Sequence, residues 1–227
     1  MSEKTKIERV VAPIRVQAEE ILRKDILEGR LRSGERLVEN EICKRFGVSR
    51  PLVRECLRQL QAEKLVSYEP HSGLRVASIG IQEAYELYDV RILLEPYAAK
   101  EFTLKASDSQ RLLLSETTQD MVDAITLADK HTAIKHKNSF YKILIKGAHH
   151  FVLEQTLIGL QNRILLMRGV SMSVPGRLEE TAREIVRLQK AIEEKDSELA
   201  RQVSQEHLER ARKTTIMALK NQDLPAN

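Results

Sequence analysis

Aromatic residues and cysteines are scarce in this chain of 227 residues, which has no tryptophan and only two cysteines. Aromatic side chains make up 4% of the residues, so stacking on unpaired bases, the usual basis of single-strand binding, is not favoured. Cys43 and Cys56 are too few for a disulfide framework and are expected to be small buried side chains.

Long apolar runs are also missing, and no stretch approaches the ~18 residues needed to span a bilayer. The first ten residues contain no apolar segment of the kind that directs secretion, so cytoplasmic residence with no membrane contact is expected. Glycine-rich phosphate loops, strand-turn-helix nucleophile motifs and HExxH pairs are absent as well. The sequence therefore predicts that the protein is not an enzyme.

The excess positive charge is small and lies at one end of the chain. Residues 1–76 contain 16 Lys and Arg against 12 Asp and Glu, whereas residues 77–227 contain 21 of each. A basic segment beside a neutral one is typical of a domain that binds a polyanion such as DNA. An excess of four charges is equally compatible with chance.

The first third of the chain has the pattern of three helices and a hairpin. Helices are predicted at about 13–28, 38–45 and 50–63, the first ending at Gly29 and the second at Phe46-Gly47. Two short strand signals at 65–68 and 74–77 flank the turn residues 70–73. This order predicts a winged helix-turn-helix, in which the second helix of the pair enters the major groove.

The third predicted helix has an apolar side and a basic side. Arg50, Arg54 and Arg58 recur every four residues and so lie along one face. Guanidinium groups at this spacing can bind phosphates or guanine edges. The alternative is an ordinary solvated face, but the glycine turn before the helix and the hairpin after it favour DNA binding.

The rest of the chain is predicted to be entirely helical. Six helical stretches run at roughly 81–103, 107–129, 131–146, 150–172, 177–195 and 197–221, with short connections typical of antiparallel neighbours. The fold class is therefore mainly α: an N-terminal winged helix-turn-helix at 1–77, a linker at Ser78–Gly80, and a C-terminal all-α six-helix bundle at 81–222.

Several motifs resemble the GntR family of regulators. They are Leu31–Leu37 (LRSGERL), Phe46–Arg50 (FGVSR), Val53–Leu57 (VRECL) and the wing-like segment 65–73. The stretch Val90–Pro96 (VRILLEP) is similar to the opening helix of the FCD class, named after the FadR C-terminal domain. Six helices rather than seven would place the chain in the VanR-like branch.

This resemblance implies a homodimer that binds a palindromic operator on double-stranded DNA and responds to a small-molecule effector, usually an organic acid. The residues expected to contact DNA are Asn40, Ser49, Arg50, Arg54, Arg58, His71 and Gly73. The chain departs from the family at Ser72, where arginine is common, and at Pro51-Leu52, where the family often has Thr-Pro. Both changes weaken the expected backbone or minor-groove contacts.

Many FCD domains hold a divalent metal on one Asp and three His. Matched to that pattern, the four positions are occupied here by Lys137, Tyr141, Ile185 and His207. One ligand in four cannot hold a metal in the usual coordination, and an ammonium group would repel it. The sequence therefore predicts no metal and no cofactor at this place.

A carboxylate effector is the expected occupant instead. Lys137 would supply the positive charge that a metal supplies in relatives, and Tyr141 and His207 would add hydrogen bonds. Arg91 would form a bidentate pair with the carboxylate. Two alternatives stay open: internal pairing of Arg91 with Glu95, and a surface position for Lys137. A dimer contact along the first bundle helix, which carries Tyr85, Tyr88 and Tyr97, is also expected.

The leading functional hypothesis is a dimeric repressor released by a small organic acid. An activator of the same architecture is the first alternative, because operator position and not sequence decides between them. The second alternative is a ligand-binding protein whose winged domain no longer binds DNA.

Overall fold

The computed structural model describes residues 14–70 and 72–222, and their fold class agrees with the mainly helical prediction. The elements in chain order are α1 (Ile14–Leu27), α2 (Glu39–Phe46), α3 (Arg50–Ala62), β1 (Val66–Glu69), β2 (Gly73–Val76), α4 (Ile81–Lys105), α5 (Asp108–Thr126), α6 (Lys130–Gly147), α7 (Phe151–Ser173), α8 (Arg177–Glu193) and α9 (Ser197–Gln222).

The turn between α2 and α3 is set by local chemistry. Gly47 ends α2 in the left-handed conformation, at φ 65°, where a side chain would be strained. Ser49 lies at the N-cap of α3 in an extended conformation, and Pro51 occupies the first turn, where its missing N–H is not needed. The apolar side of α3, with Val53, Cys56, Leu57 and Leu60, is buried against the neighbouring elements, which orients α3.

The wing is a two-stranded antiparallel hairpin. Its register pairs Val66 with Val76 and Glu69 with Gly73, and Gly73 has φ 81°, so the turn needs a residue that tolerates the left-handed region. A bridge between Arg36 and Arg75 attaches the segment before α2 to β2, on the side opposite β1. The expected contact residue His71 lies outside the described residues.

The six helices from α4 onward pack as a bundle, with α9 lying along α4 and α6 along α5. Their ends are fixed by caps: a capping box at Ser107 begins α5, Asp129 caps α6, and His150 caps α7. Apolar side chains of α4, α5, α6, α8 and α9 form a buried core that includes Phe102 and Phe140. No helix within the described ranges is long and apolar enough to cross a membrane.

The winged helix-turn-helix shares an apolar core with the bundle, and polar contacts among the described residues join them at two places. At the end of α1, the carboxylate of Glu28 lies 2.7 Å from His131 Nε2, and Arg30 also contacts that ring. On the other side, α7 donates a hydrogen bond of 3.2 Å from Asn162 to the Glu63 carbonyl. Polar contacts therefore join the two parts at both α6 and α7.

Candidate DNA-binding surface and buried polar cluster

The three arginines of α3 lie on the outside of the molecule, as the sequence predicts. Arg50, Arg54 and Arg58 are all exposed, one turn apart along the helix. Arg54 donates from Nε to both carboxylate oxygens of Glu39 on α2, at 3.0 and 3.1 Å. This pair is exposed and worth little in water, so DNA phosphates can compete for the guanidinium.

The other residues expected to contact DNA are placed nearby. Asn40 is exposed on the first turn of α2, and Ser49 is exposed at the N-cap of α3 with no side-chain cap bond. Gly73 begins β2, in which the Arg75 side chain donates a hydrogen bond of 2.7 Å to the Gly34 carbonyl and so stabilises the wing. The surface thus combines the α3 arginines with the wing.

Inside the bundle lies a group of buried ionisable and polar side chains, named here the buried polar cluster. Five helices contribute to it. Its members are Arg91 and Glu95 of α4, Lys137 and Tyr141 of α6, Arg168 of α7, Arg177 and Glu184 of α8, and His207 of α9. The sequence-predicted residues Arg91, Lys137, Tyr141 and His207 are therefore brought together.

The first carboxylate of the cluster, Glu95, is held by two guanidinium groups. Arg91 donates from Nε at 2.6 Å and from Nη2 at 3.2 Å, and Arg168 Nη2 lies 3.9 Å away. Burial alone would raise the pKa of Glu95, but the charges of Arg91 and Arg168 lower it. Arg91 therefore pairs internally, as the alternative interpretation had it, although its Nη1 is buried with no partner among the described residues.

The second carboxylate, Glu184, is shared by three donors. Its Oε2 accepts from Arg177 at 2.8 Å and lies 2.5 Å from His207 Nδ1, while its Oε1 accepts from Arg210 at 3.3 Å. Burial opposes the charge, yet the hydrogen bonds from His207 and Arg177 lower the pKa of Glu184 to about 2. Glu184 also lines a surface cavity of about 360 Å³, which gives the cluster a side open to solvent.

Arg168 connects the two parts of the cluster. Its guanidinium carbon lies 3.9 Å from the centre of the Tyr141 ring, a close cation–π contact, and its Nη1 donates 3.3 Å to Asn138. Burial lowers the pKa of Arg168 to about 10, so the group remains charged at neutral pH. Its Nε is buried and has no partner among the described residues.

Lys137 is the least satisfied residue of the cluster. Its side chain is 2% exposed, so it is an interior residue rather than a surface one. Within the described ranges it forms neither an ion pair nor a hydrogen bond. Burial, followed by the positive charges of Arg168 and Arg177, lowers its pKa well below the ordinary value.

Comparisons with known proteins agree with this architecture. Residues 14–76 match the bacterial regulatory proteins of the gntR family, and residues 86–210 match the FCD domain. The chain belongs to the GntR family of regulators with an FCD domain.

Individual relatives are transcriptional regulators. The uncharacterised HTH-type regulator YdhC of Bacillus subtilis strain 168 is 28% identical over 182 residues, which cover 80% of this chain and 81% of YdhC. The gluconate operon transcriptional repressor of Bacillus licheniformis is 26% identical over 200 residues, covering 85% of this chain and 80% of the repressor. The solved structure of E. coli McbR/YncC has the same fold, with a TM-score of 0.73 at 21% identity, covering 93% of this chain and 99% of that protein.

The metal-binding pattern of many FCD domains does not fit the residues of this cluster. Lys137 and Tyr141 on α6 and Ile185 on α8 stand where ligands would be needed, and Ile185 is fully buried and apolar. Within the described part of the chain, no three His, Cys, Asp or Glu side chains are arranged to hold a metal ion. Three buried guanidinium groups nearby would also repel a divalent cation.

Three members of the buried polar cluster were missed by sequence reasoning: Arg168, Arg177 and Glu184. Arg168 interrupts the apolar run 164–172, and a lone charge in such a run signals a buried polar site. Arg177 is the first residue of α8, directly after Pro175-Gly176, and nothing about this position in the sequence indicates that its side chain is buried. Glu184 lies on a helix with many charges, and its burial follows only from packing.

Proposed function

We propose that this GntR-family protein is a dimeric transcriptional repressor that is released from a palindromic operator when a small organic acid binds the buried polar cluster. One observation carries the proposal. Three buried guanidinium groups and Lys137 share two buried carboxylates, with the exposed Glu180 as a further partner of Arg177. Even so, three guanidinium nitrogens have no acceptor among the described residues. Buried cations without acceptors are costly, so an anion fits here.

A carboxylate ligand would correct this imbalance. Its oxygens accept the hydrogen bonds that Arg91 Nη1, Arg168 Nε and Arg177 Nε lack, and charge-assisted bonds of this kind are stronger than neutral ones. Its negative charge would also favour the protonated form of Lys137. The name of one relative, a gluconate operon repressor, supports an acidic effector of this general kind.

Dimerisation is supported by an apolar stripe on α4. Val90, Leu93, Tyr97 and Leu104 follow helical spacing and are 37%, 74%, 40% and 58% exposed. Tyr97 packs edge-on against His150, and Phe151 beside it is 74% exposed, so the stripe continues onto α7. A second copy of the chain covering this face would present two α3 helices, which must lie about 34 Å apart to enter successive major grooves.

Communication between the ligand and DNA is supported by α6. This helix carries Lys137 and Tyr141 in the cluster and His131 at its contact with Glu28 of the winged domain. Asn138, which binds Arg168, also lines a cavity of about 310 Å³ between α1 and the bundle. A ligand that shifts α6 would therefore change the position of α1.

Operator binding is tested by gel shift with the DNA upstream of the protein's own gene. Arg54→Ala is expected to weaken specific binding by about 1–3 kcal/mol per site. If the guanidinium also contacts a phosphate, the variant's DNA affinity will depend less steeply on salt concentration. Arg201→Ala, which removes an exposed arginine on α9, is the matched control. Equal binding by both variants would contradict the assigned surface, and no retarded band with wild type would favour a protein that no longer binds DNA.

Effector binding is tested by thermal shift against small carboxylic acids, with and without EDTA. A bound acid raises the melting temperature by mass action and should do so in EDTA. Lys137→Met should reduce the shift, whereas Lys142→Met, which changes an exposed lysine on the same helix, should retain it. Stabilisation by divalent metals alone would contradict the proposal.

A further inference from the structure

The imidazole ring of His207 is held in one tautomer. Its Nδ1 lies 2.5 Å from Glu184 Oε2, and that carboxylate is ionised because Arg177 also donates to it. A carboxylate can only accept, so Nδ1 carries the proton. In the neutral ring the opposite nitrogen, Nε2, then offers a lone pair and no hydrogen.

No residue in the described part of the chain donates to this lone pair. Nε2 is fully buried and has no hydrogen-bond partner among the described residues. The ring lies beside Tyr141, at 6.3 Å between ring centres, and the charge of Lys137 acts on it. Nε2 therefore belongs to the interior of the cluster, on the side away from Glu184.

The other unpaired groups of the cluster are mainly donors. They are the guanidinium nitrogens of Arg91, Arg168 and Arg177 and the Tyr141 hydroxyl, which is not hydrogen-bonded to Nε2. The guanidinium donors can be satisfied by the oxygens of a carboxylate. A carboxylate cannot satisfy His207 Nε2, because an acceptor facing an acceptor is repulsive.

Building on the proposed function, we infer that the ligand carries a hydroxyl group as well as its acid group, and that this hydroxyl donates to His207 Nε2. The cluster then selects a hydroxycarboxylate over the same acid without its hydroxyl. It also disfavours the corresponding 2-oxo acid, whose keto oxygen would place a second lone pair against Nε2. Selection of this kind is strong because a buried polar group is left unpaired by the wrong ligand.

Isothermal titration of the full-length protein tests this with acids matched in carbon skeleton. The two series are lactate, propionate and pyruvate, and malate, succinate and oxaloacetate. In whichever series binds, the hydroxy acid should bind about tenfold or more tightly than the acid lacking the hydroxyl, as expected for one buried hydrogen bond. The oxo acid should bind no better than the acid lacking the hydroxyl.

Glu184→Gln supplies the discriminating variant. The glutamine amide can donate to Nδ1, which allows the proton to move to Nε2, so the preference for the hydroxy acid over the oxo acid should collapse. Glu179→Gln, which changes an exposed glutamate on α8, is the control and should keep the preference. Nitrogen-15 NMR of histidine-labelled wild type reports the tautomer directly and does not depend on the variant folding.

The outcomes separate the two claims. A hydroxyl preference together with the Nδ1–H tautomer supports the inference. Equal binding of hydroxy, hydroxyl-free and oxo acids, or an Nε2–H tautomer, overturns it and leaves acid-controlled repression intact. Failure of every acid in both series to bind, with operator binding intact, overturns both this inference and the effector part of the proposed function.

Discussion

Acidification should destabilise the bundle through His207 in a defined pH window. Burial, opposed by the hydrogen bond to Glu184, lowers the pKa of His207 from 6.5 to about 4, so the native ring stays neutral while the unfolded ring takes up a proton. Stability is therefore complete above pH 6.5 and is lost as the pH falls to about 4. At 1.36 kcal/mol per unit, the loss is roughly 3 kcal/mol.

Calorimetric melting of wild type and His207→Gln at pH 6.5, 5.5 and 4.5 measures this effect, at one fixed protein concentration because a dimer's stability depends on it. About 2 kcal/mol of this loss falls between pH 6.5 and 4.5. Since 1 kcal/mol shifts the melting temperature of a chain of this size by about 2–4 °C, wild type should lose roughly 4–8 °C more than the variant. His149→Gln, which removes an exposed ring, should behave as wild type. Parallel losses in wild type and His207→Gln would refute a buried neutral histidine. The stabilisation from Glu184 is present above its usual pKa of 4.5 and is lost only as the pH falls further, to about 2.

Three further variants probe other parts of the structure. Lys137→Met removes a buried amine without an acceptor, so its melting temperature should rise with a gain of roughly 1–3 kcal/mol although acid binding weakens; a lower melting temperature would contradict the unpaired placement. Glu95→Gln leaves the Arg91 charge uncompensated and should cost about 3–5 kcal/mol in denaturant unfolding followed by circular dichroism, and a loss below 1 kcal/mol would argue against a tight buried pair. His131→Ala should leave acid binding unchanged but reduce acid-induced release in gel shifts, because the contact with Glu28 is lost; full release would exclude that contact as the connection.

Most of the fold follows from local signals in the sequence. Apolar periodicity and helix-ending residues such as Gly47 and Gly176 place the elements, and the predicted boundaries of the six bundle helices lie within three residues of the observed ones. The hairpin follows from strand-forming residues around the turn before Gly73. These features are determined by residues that are close together in the sequence, so one sequence is enough to predict them.

The buried polar cluster could be predicted only in part. Lys137, Tyr141 and His207 follow from matching the chain to a family pattern, since helical spacing places the first two on one face. The pairing of Arg177 with Glu184, and the stacking of Arg168 on Tyr141, depend on how α7 and α8 meet α6. Such contacts between distant segments produce no periodic pattern in the sequence. A charged residue on a helix is also usually solvated, so its burial is not expected.

Under the proposed function, the position of α6 between the two sites has a consequence that can be measured from either end. If the acid and operator DNA favour different positions of α6, each must weaken the other's binding by the same factor, with typical coupling of about 5–150-fold. Titration of the acid into protein alone and into protein saturated with operator gives the factor by which operator weakens acid binding. Gel shifts with and without acid give the factor by which acid weakens operator binding. A scrambled duplex is the control. Equal factors support one two-state dimer in which Lys137 and His131 report the same motion. Unequal factors would mean that the acid acts through a different species, such as a dissociated monomer, and the α6 connection would then be wrong.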